Sequence, residues 1–472
     1  MIDNLGLYLD YYELTMAQGY FLSGRGNLQA NFDYFFRNNP FNSGYTIFAG
    51  LEDLLELIVN FTYSKSSIDY LRKQGFKSEF LDYLKNFKFT GKIYSVSEGE
   101  IVFPYEPIIR VEGNIIETQL LESILLNVIN FESLIATKAR RLRFSAKERK
   151  LVDFGLRRAQ GFAAIYASRA AIIGGIDGTS NVLSAFLYDL TPTGTLAHSW
   201  IQSFDNELTA FRKFAELYPN NCVLLVDTYD TLKSGVPNAI IVAKELEQKG
   251  YKLSAIRLDS GDLAYLSKKA RKMLNDAGLN YVKIIASNQL DEYLIKSLIE
   301  QGAPIDAFGV GTSLITGQKD AALDGVYKIT YVDNKPTIKL SEDLAKVTLP
   351  GKKKIIRYFN GEEKFYADAI ILEEEVDNEI DMIFHPHSPN KKCSVKNLKK
   401  ELIISKVFEN GEVILKHKSI KEISEYLQFR FSQLPVEHKR FEYPHIYKVG
   451  ISQKLMELRD KLVMNKDKED YR

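Results

Sequence analysis

The stretch Leu253-Ser254-Ala255-Ile256-Arg257-Leu258-Asp259-Ser260-Gly261-Asp262 joins a short apolar run to a dense cluster of charge. Similar runs stand on both sides of it. They are Leu151-Val152-Asp153-Phe154-Gly155, Ala171-Ile172-Ile173-Gly174-Gly175, Val223-Leu224-Leu225-Val226-Asp227-Thr228, Val282-Lys283-Ile284-Ile285-Ala286-Ser287-Asn288 and Ala307-Phe308-Gly309-Val310-Gly311-Thr312. The later runs begin at 223, 253, 282 and 307, with helical segments such as Pro237 to Lys249 and Leu263 to Ala277 between them. That alternation is the rhythm of βαβ units around a buried parallel sheet. It suits a β/α barrel, the favoured reading, and also an open doubly wound sheet. In a barrel, the residues just past the C-terminal strand ends line the active site. Here those positions are Asp227, Asp259, Asp262, Ser287, Asn288, Gly309, Gly311 and Thr312.

The chain of 472 residues exceeds what a single core supports, so more than one domain is expected. Before the barrel pattern, Glu13 to Tyr20 opens a helix, and Gly50 to Ile58 carries leucines at helical spacing. Gly91 to Val111 breaks into β-like pieces at Gly99, Pro104 and Pro107. From Thr118 a long helix follows, with Leu121, Ile124, Leu125, Val128 and Ile129 on one face. Beyond about residue 350 come Lys-rich turns, short strands and a last helix. The expected division is an α+β flanking domain over 1–117, a barrel over 118–345, and a C-terminal segment, 346–472, that packs on the flanking domain.

Lys+Arg (62) and Asp+Glu (61) nearly cancel, so no domain-wide basic field offers itself to nucleic acid. Cys222 and Cys393 are too few and too distant for a disulfide framework or a zinc site. No basic leader opens the sequence, and no stretch reads as a membrane span. The expectation is a cytoplasmic protein with no membrane and no nucleic-acid partner.

Several positions could carry chemistry. Gly309-Val310-Gly311-Thr312 can offer backbone N–H groups and a hydroxyl to a phosphate, as late loops of barrels do; read alone, a tight turn is the alternative. Ser287 and Asn288 add donors at the preceding strand end. Arg257 suits a carboxylate or phosphate through paired hydrogen bonds. Asp259 and Asp262 suit ribose hydroxyls or Mg²⁺, and Asp259, like Asp227, is also a candidate catalytic residue. Arg157, in Arg157-Arg158-Ala159-Gln160-Gly161, could receive an anion. Gly178-Thr179-Ser180-Asn181 offers hydroxyls, Ser180 among them, and an amide. His198 is the only histidine before His385, and no Cys or second His stands near it in the sequence. That leaves a nucleophilic or acid–base role as its functional option. Asp205, Glu207 and Asp227 are the acids that could assist it. The acid pair and Thr-Gly turn of the Rossmann-like phosphoribosyltransferases are absent at Val226-Asp227-Thr228-Tyr229-Asp230-Thr231.

Five ordered blocks resemble the nicotinate phosphoribosyltransferase family. They are Asp10-Tyr11-Tyr12-Glu13-Leu14-Thr15-Met16, Phe154-Gly155-Leu156-Arg157-Arg158-Ala159-Gln160-Gly161, Gly194-Thr195-Leu196-Ala197-His198-Ser199, Arg257 to Asp262, and Gly309-Val310-Gly311-Thr312-Ser313. The likeness continues through Leu323 to Lys328, Lys339-Leu340-Ser341-Glu342 and Thr348 to Gly351, and weakens after about 360. It resembles the family's longer form. The opening block keeps Asp10 and Tyr12 but departs from the usual pattern at Leu9 and Tyr11.

The resemblance implies an irregular β/α barrel of the type II phosphoribosyltransferase kind, flanked by an α+β domain built from both chain ends. It implies a homodimer with sites near the interface. The implied reaction takes nicotinate, phosphoribosyl pyrophosphate, ATP and water to nicotinate mononucleotide, pyrophosphate, ADP and phosphate. Mg²⁺ would assist and ATP would be a co-substrate in this first step of NAD salvage from nicotinate. By the same resemblance Tyr12 stacks on the pyridine ring, and Arg157, Thr195 and Arg257 hold the nicotinate and the substrates around it. Gly309, Gly311 and Thr312 hold the 5-phosphate, and His198 is phosphorylated by ATP. A nicotinamide-using enzyme is the rival, and Asp177 stands close enough to Ser180 to accept from an amide. A catalytically silent nucleotide sensor is the third reading.

Overall fold

A computed structural model describes residues 4–340 and 347–470, without the side chains of 389 and 466–470. Ser341 and Glu342 of the resemblance lie outside the described residues. The chain divides into two compact units, one of Ile135–Ala321 and one of Met1–Leu134 with Ala322–Arg472.

Six strands of the first unit form one parallel sheet: β1 (Lys150–Asp153), β2 (Gly178–Thr179), β3 (Val223–Leu225), β4 (Ala255–Leu258), β5 (Lys283–Ala286) and β6 (Ala307–Val310). The spatial order is β2-β1-β6-β5-β4-β3, parallel throughout. The last strand pairs with the first, Ala307 beside Lys150 through Val310 beside Asp153. A doubly wound sheet reverses direction at a switch point. Winding in one direction until β6 meets β1 makes a barrel. Its hydrogen-bonded wall stops between β2 and β3, where Pro192 forms an isolated bridge to Thr179, and this seam is its irregularity. The buried Asp153 carboxylate fastens the wall beside the seam. It accepts from the Gly155 N–H (2.7 Å), Ser168 Oγ (2.9 Å) and Thr179 Oγ1 (2.8 Å).

Five of the six apolar runs contain barrel strands. Ala171 to Gly175 does not: it closes the helix Ala163–Ile173. That helix is buried on nearly every side, so its apolar run has no period that would separate it from a strand. The second strand is instead the brief Gly178–Thr179.

Among the described residues the other unit carries three sheets, one of them only the pair Thr46–Ile47 with Ile101–Val102. In the largest, Gln29–Phe36 lies between Gly325–Val332 and Ile109–Asn114, antiparallel to both. Both chain ends therefore build one sheet, and Ile404–Glu409 joins it by pairing with Lys92–Val96. A second sheet is formed by strands between Lys353 and Ile451. The buried Arg357 binds Asp368 and Glu100 (2.6 Å each), and Arg430 binds Glu100 at 3.0 Å. These pairs tie the C-terminal segment to the N-terminal one.

The unit boundaries fall inside the 118–345 segment anticipated from sequence. Residues 322–340 leave the barrel because Gly325–Val332 pairs with Gln29–Phe36. The division near Leu134 falls within the helix Glu122–Ala146. The helical stretch Ile115–Ala146 is also long and apolar enough, by length and composition, to cross a membrane, contrary to the sequence expectation. Of its apolar window, 67% is buried inside the protein, as in a core helix.

Glu13, fully buried beside the start of that helix, accepts from Ser123 Oγ and from the Asp10 N–H (3.4 Å). Burial pushes its pKa up to about 7 against the Ser123 hydrogen bond, with the Glu122 charge adding to the rise. The folded chain thus holds a proton there that the unfolded chain releases near 4.5. Stability from this group is complete below pH 4.5 and falls as pH rises toward 7. Glu13→Gln should remove that slope and stabilise the protein at pH 8 by on the order of 3 kcal/mol. Thermal unfolding at pH 5 and pH 8 reads the difference; an unchanged slope would contradict a protonated Glu13.

Candidate active site

The strand ends of the barrel gather around Arg257 in β4. Its Nε–H donates to Ser287 Oγ (2.9 Å), Nη1 to Thr195 Oγ1 (2.8 Å) and Nη2 to Asp259 Oδ1 (3.0 Å). The guanidinium carbon stands 5.2 Å from the centre of the Phe154 ring. Three of five N–H donors serve this frame, so each terminal nitrogen keeps one for a ligand. Ser287 in turn donates to Asp259 Oδ1 at 2.5 Å. Side chains following three strands, with Thr195 from the loop after the seam, therefore hold one cation in a fixed orientation.

His198 opens the short helix His198–Gln202 and is 41% exposed. Its Nδ1 lies 3.0 Å from Thr228 Oγ1, and its Nε2 faces Asp259 Oδ2 at 3.9 Å. Among the acids considered from sequence, Asp227 is turned elsewhere. Its Oδ2 accepts from the Asp259 N–H (2.7 Å) and Ser260 Oγ (2.6 Å), which fixes the turn after β4. Glu207 accepts from Asn238 Nδ2 (2.9 Å), and Asp205 is exposed. The carboxylate facing His198 is that of Asp259, which the sequence offers as a catalytic residue as well as to metal or ribose.

The turn after β6 runs close beneath Phe154. A Cβ on Gly309 would lie 2.4 Å from the Phe154 ring, and one on Gly311 would lie 3.3 Å from the Phe154 carbonyl. Thr312, next in the chain, is exposed and begins the short helix Thr312–Ile315. After β5, Asn288 and Gln289 both adopt left-handed backbone (φ 86° and 44°), turning the exposed Asn288 away from the strand line. Such backbone in consecutive non-glycine residues is strained and clusters at functional sites.

Other anticipated residues are placed differently. Asp262 caps the helix Leu263–Asp276, accepting from the Tyr265 N–H at 3.0 Å. Among the described residues no three of His, Cys, Asp and Glu gather as a metal site. Arg157 is exposed on the turn after β1, and Ser180 is half-buried after β2. Thr179 and Asn181 are buried: Thr179 donates to Asp153, and Asn181 caps Val182–Leu187. Only Ser180 of that block keeps a side chain toward solvent. Asp177 precedes β2, where its carboxylate accepts from the Leu151 N–H (2.7 Å) and pairs with Arg143. It is committed at the entry end of the strands, so its proximity in sequence to Ser180 does not favour an amide substrate. Tyr12 belongs to the other unit, on the helix Tyr11–Leu22, and is 44% exposed. Partial burial and the neighbouring Glu122 and Glu13 carboxylates keep its phenol protonated.

Two residues of the site escaped sequence reading. Thr228 follows Asp227 just past a strand end, and that position was its available signal. Phe154 reads as one more apolar residue; only the glycines at 309 and 311 hint at a ring needing room. The arrangement defines a β/α-barrel enzyme whose mouth presents a fixed guanidinium, an accessible imidazole and a glycine turn.

The comparisons are consistent along the whole chain. The profile of the nicotinate phosphoribosyltransferase family matches residues 149–370. Its N-terminal and C-terminal domain profiles match 7–130 and 352–459. A nicotinate phosphoribosyltransferase of Bacillus subtilis (strain 168) is 43% identical over 460 residues, 96% of this chain and 94% of that protein. One from Dictyostelium discoideum is 37% identical over 96% of this chain and 87% of its own length. The crystal structure of human nicotinic acid phosphoribosyltransferase superposes with a TM-score of 0.88 at 29% identity, covering 97% of this chain and all of that one. The chain belongs to the nicotinate phosphoribosyltransferase family, and it is an enzyme of that family.

Gly309→Ala should push the Phe154 ring off its seat. The expected cost is about 1–3 kcal/mol of stability, as for overpacked cores, and denaturant unfolding measures it. Wild-type stability would mean that the ring moves freely and is no fixed floor for Arg257.

Proposed function

We propose that the enzyme joins nicotinate to the ribosyl carbon of phosphoribosyl pyrophosphate, releases pyrophosphate, and couples this to ATP through a phosphorylated His198. The observation that carries the reading is the framed Arg257, with two N–H donors uncommitted, beside an accessible His198. A carboxylate substrate needs donors and positive charge. Arg257, Thr195, Arg157 and Ser180 supply them, whereas Asp177, the acceptor an amide would want, stands at the opposite, N-terminal end of the strands. Gly309, Gly311, Thr312, Ser287 and Asn288 then form the cradle for the 5-phosphate. Tyr12 is assigned to stacking on the pyridine ring, an interaction that contributes about 0.5–1.5 kcal/mol beyond area burial.

Bond formation at the anomeric carbon passes through a cationic sugar while pyrophosphate leaves. Donors fixed before the reaction stabilise that departing charge without reorganising. In the ATP step, a ring nitrogen of His198 takes the γ-phosphoryl group, ADP leaves, and water later releases phosphate. The added negative charge alters the field beside Arg257 and Asp259. Asp259 and Asp262 are the proposed Mg²⁺ contacts. Mg²⁺ needs only one or two protein carboxylates when substrate phosphates complete its shell. When bound, it would neutralise pyrophosphate charge.

A homodimer belongs to the same proposal. Leu156, Phe162, Val182, Leu183, Phe186 and Leu187 are exposed apolar side chains on the segments after β1 and β2, and exposed apolar surface favours a protein partner. Soluble phosphorylated substrates favour the cytoplasm as its compartment.

His198→Ala should retain slow product formation without ATP and lose ATP hydrolysis. ATP hydrolysis in step with product by the variant would end the phosphohistidine proposal. Arg257→Ala should lower the rate on the order of 10²–10³-fold, the usual effect of losing one preorganised donor; a near-normal rate would make Arg257 structural.

A further inference from the structure

Lys138 lies in the helix Glu122–Ala146 and has no solvent exposure. Its ammonium pairs with Glu292 Oε2 at 2.7 Å and donates to the Gln318 carbonyl at 3.1 Å. Those partners stand on segments that follow two different strands. Glu292 is the first residue of the helix that follows β5 and the Ser287-Asn288 turn. Gln318 ends the turn after β6, where its N–H donates to the Ser313 carbonyl at 3.1 Å. Thr316 Oγ1 donates to the Thr312 carbonyl at 2.7 Å in the same turn. One buried cation therefore links the loop bearing Asn288 to the loop bearing Thr312.

The rest of the cluster holds Glu292 in place. Arg141 Nε–H donates to Glu292 Oε1 (3.0 Å), and Ser145 Oγ donates to the Glu292 carbonyl (2.7 Å). Lys138, Arg141 and Ser145 recur at helical spacing, so these contacts come from one face of one helix. Replacing Lys138 leaves Glu292 paired with Arg141, which favours a variant that folds.

We infer that Lys138 is a positioning residue that sets the spacing of the two loops proposed to hold the sugar phosphate, without touching substrate. This inference rests on the proposed phosphoribosyl reading of those loops. A cradle misplaced by a fraction of an ångström loses affinity for the group it was shaped to hold. Lys138→Met should therefore raise the KM and the calorimetric Kd for phosphoribosyl pyrophosphate about tenfold or more. It should leave the KM for nicotinate unchanged and kcat largely intact, and Lys138→Arg should restore most of the loss. An unchanged Kd and KM for phosphoribosyl pyrophosphate, or an equal change in every constant, would overturn the inference. Should Lys138→Met fail to fold, Glu292→Gln is read in its place; the same split supports the bracing role, and no split overturns it. If the wild-type enzyme binds phosphoribosyl pyrophosphate but makes no nucleotide, the catalytic reading fails, and the ratio of Kd values alone decides the role of Lys138.

Discussion

The pairing of β6 with β1 is the constraint on which the rest of the barrel unit depends. Until Ala307–Val310 lies beside Lys150–Asp153, β2-β1 and β6-β5-β4-β3 are two separate ribbons. Once they pair, the strand ends face a common mouth, and residues far apart in sequence become neighbours. Thr195 meets Arg257, and Ser287 meets Asp259, across separations of 62 and 28 residues. Buried groups at the seam carry part of the cost of incomplete closure. Asp153 receives three donors there, because a buried carboxylate without them would be expensive.

Charge at the mouth is organised by the same economy of partners. Arg257 is stabilised by Asp259, oriented by Ser287 and Thr195, and faced by Phe154. A guanidinium held on several sides loses little freedom when an anion arrives, so binding does not have to fix it. Asp227 acts at one remove by fixing the backbone of Asp259. Asp259 then faces both the cation and the imidazole, joining the proposed substrate contact and the proposed phosphoryl acceptor.

Much of this was legible in the sequence. Charge after an apolar run marked Asp227 and Asp259 as strand-end residues because buried parallel strands are apolar and their ends are not. The spacing of the runs gave the βα alternation. Ala171 to Gly175 misled, since a helix buried all round and a buried strand share one apolar signature. The unit boundary was hidden because Gly325–Val332 looks like any strand, and only its partner, Gln29–Phe36, assigns it to the flanking sheet. Partners were least legible. Nothing local tells that Asp177 serves Arg143 and the Leu151 N–H, that Asp262 serves its own helix, or that Thr228 is the neighbour of His198. Hydrogen-bond partners are set by tertiary approach, which sequence spacing records only along a single element.

On the proposed function, the mouth recognises the carboxylate of a pyridine ring and couples ribosylation of the ring to ATP. The most direct measurement supplies the purified protein with phosphoribosyl pyrophosphate, Mg²⁺ and ATP, and offers nicotinate and nicotinamide in parallel. The expected result is nicotinate mononucleotide with matching ADP release and little or no turnover of the amide. Turnover of nicotinamide in preference to nicotinate, or of neither, would contradict it.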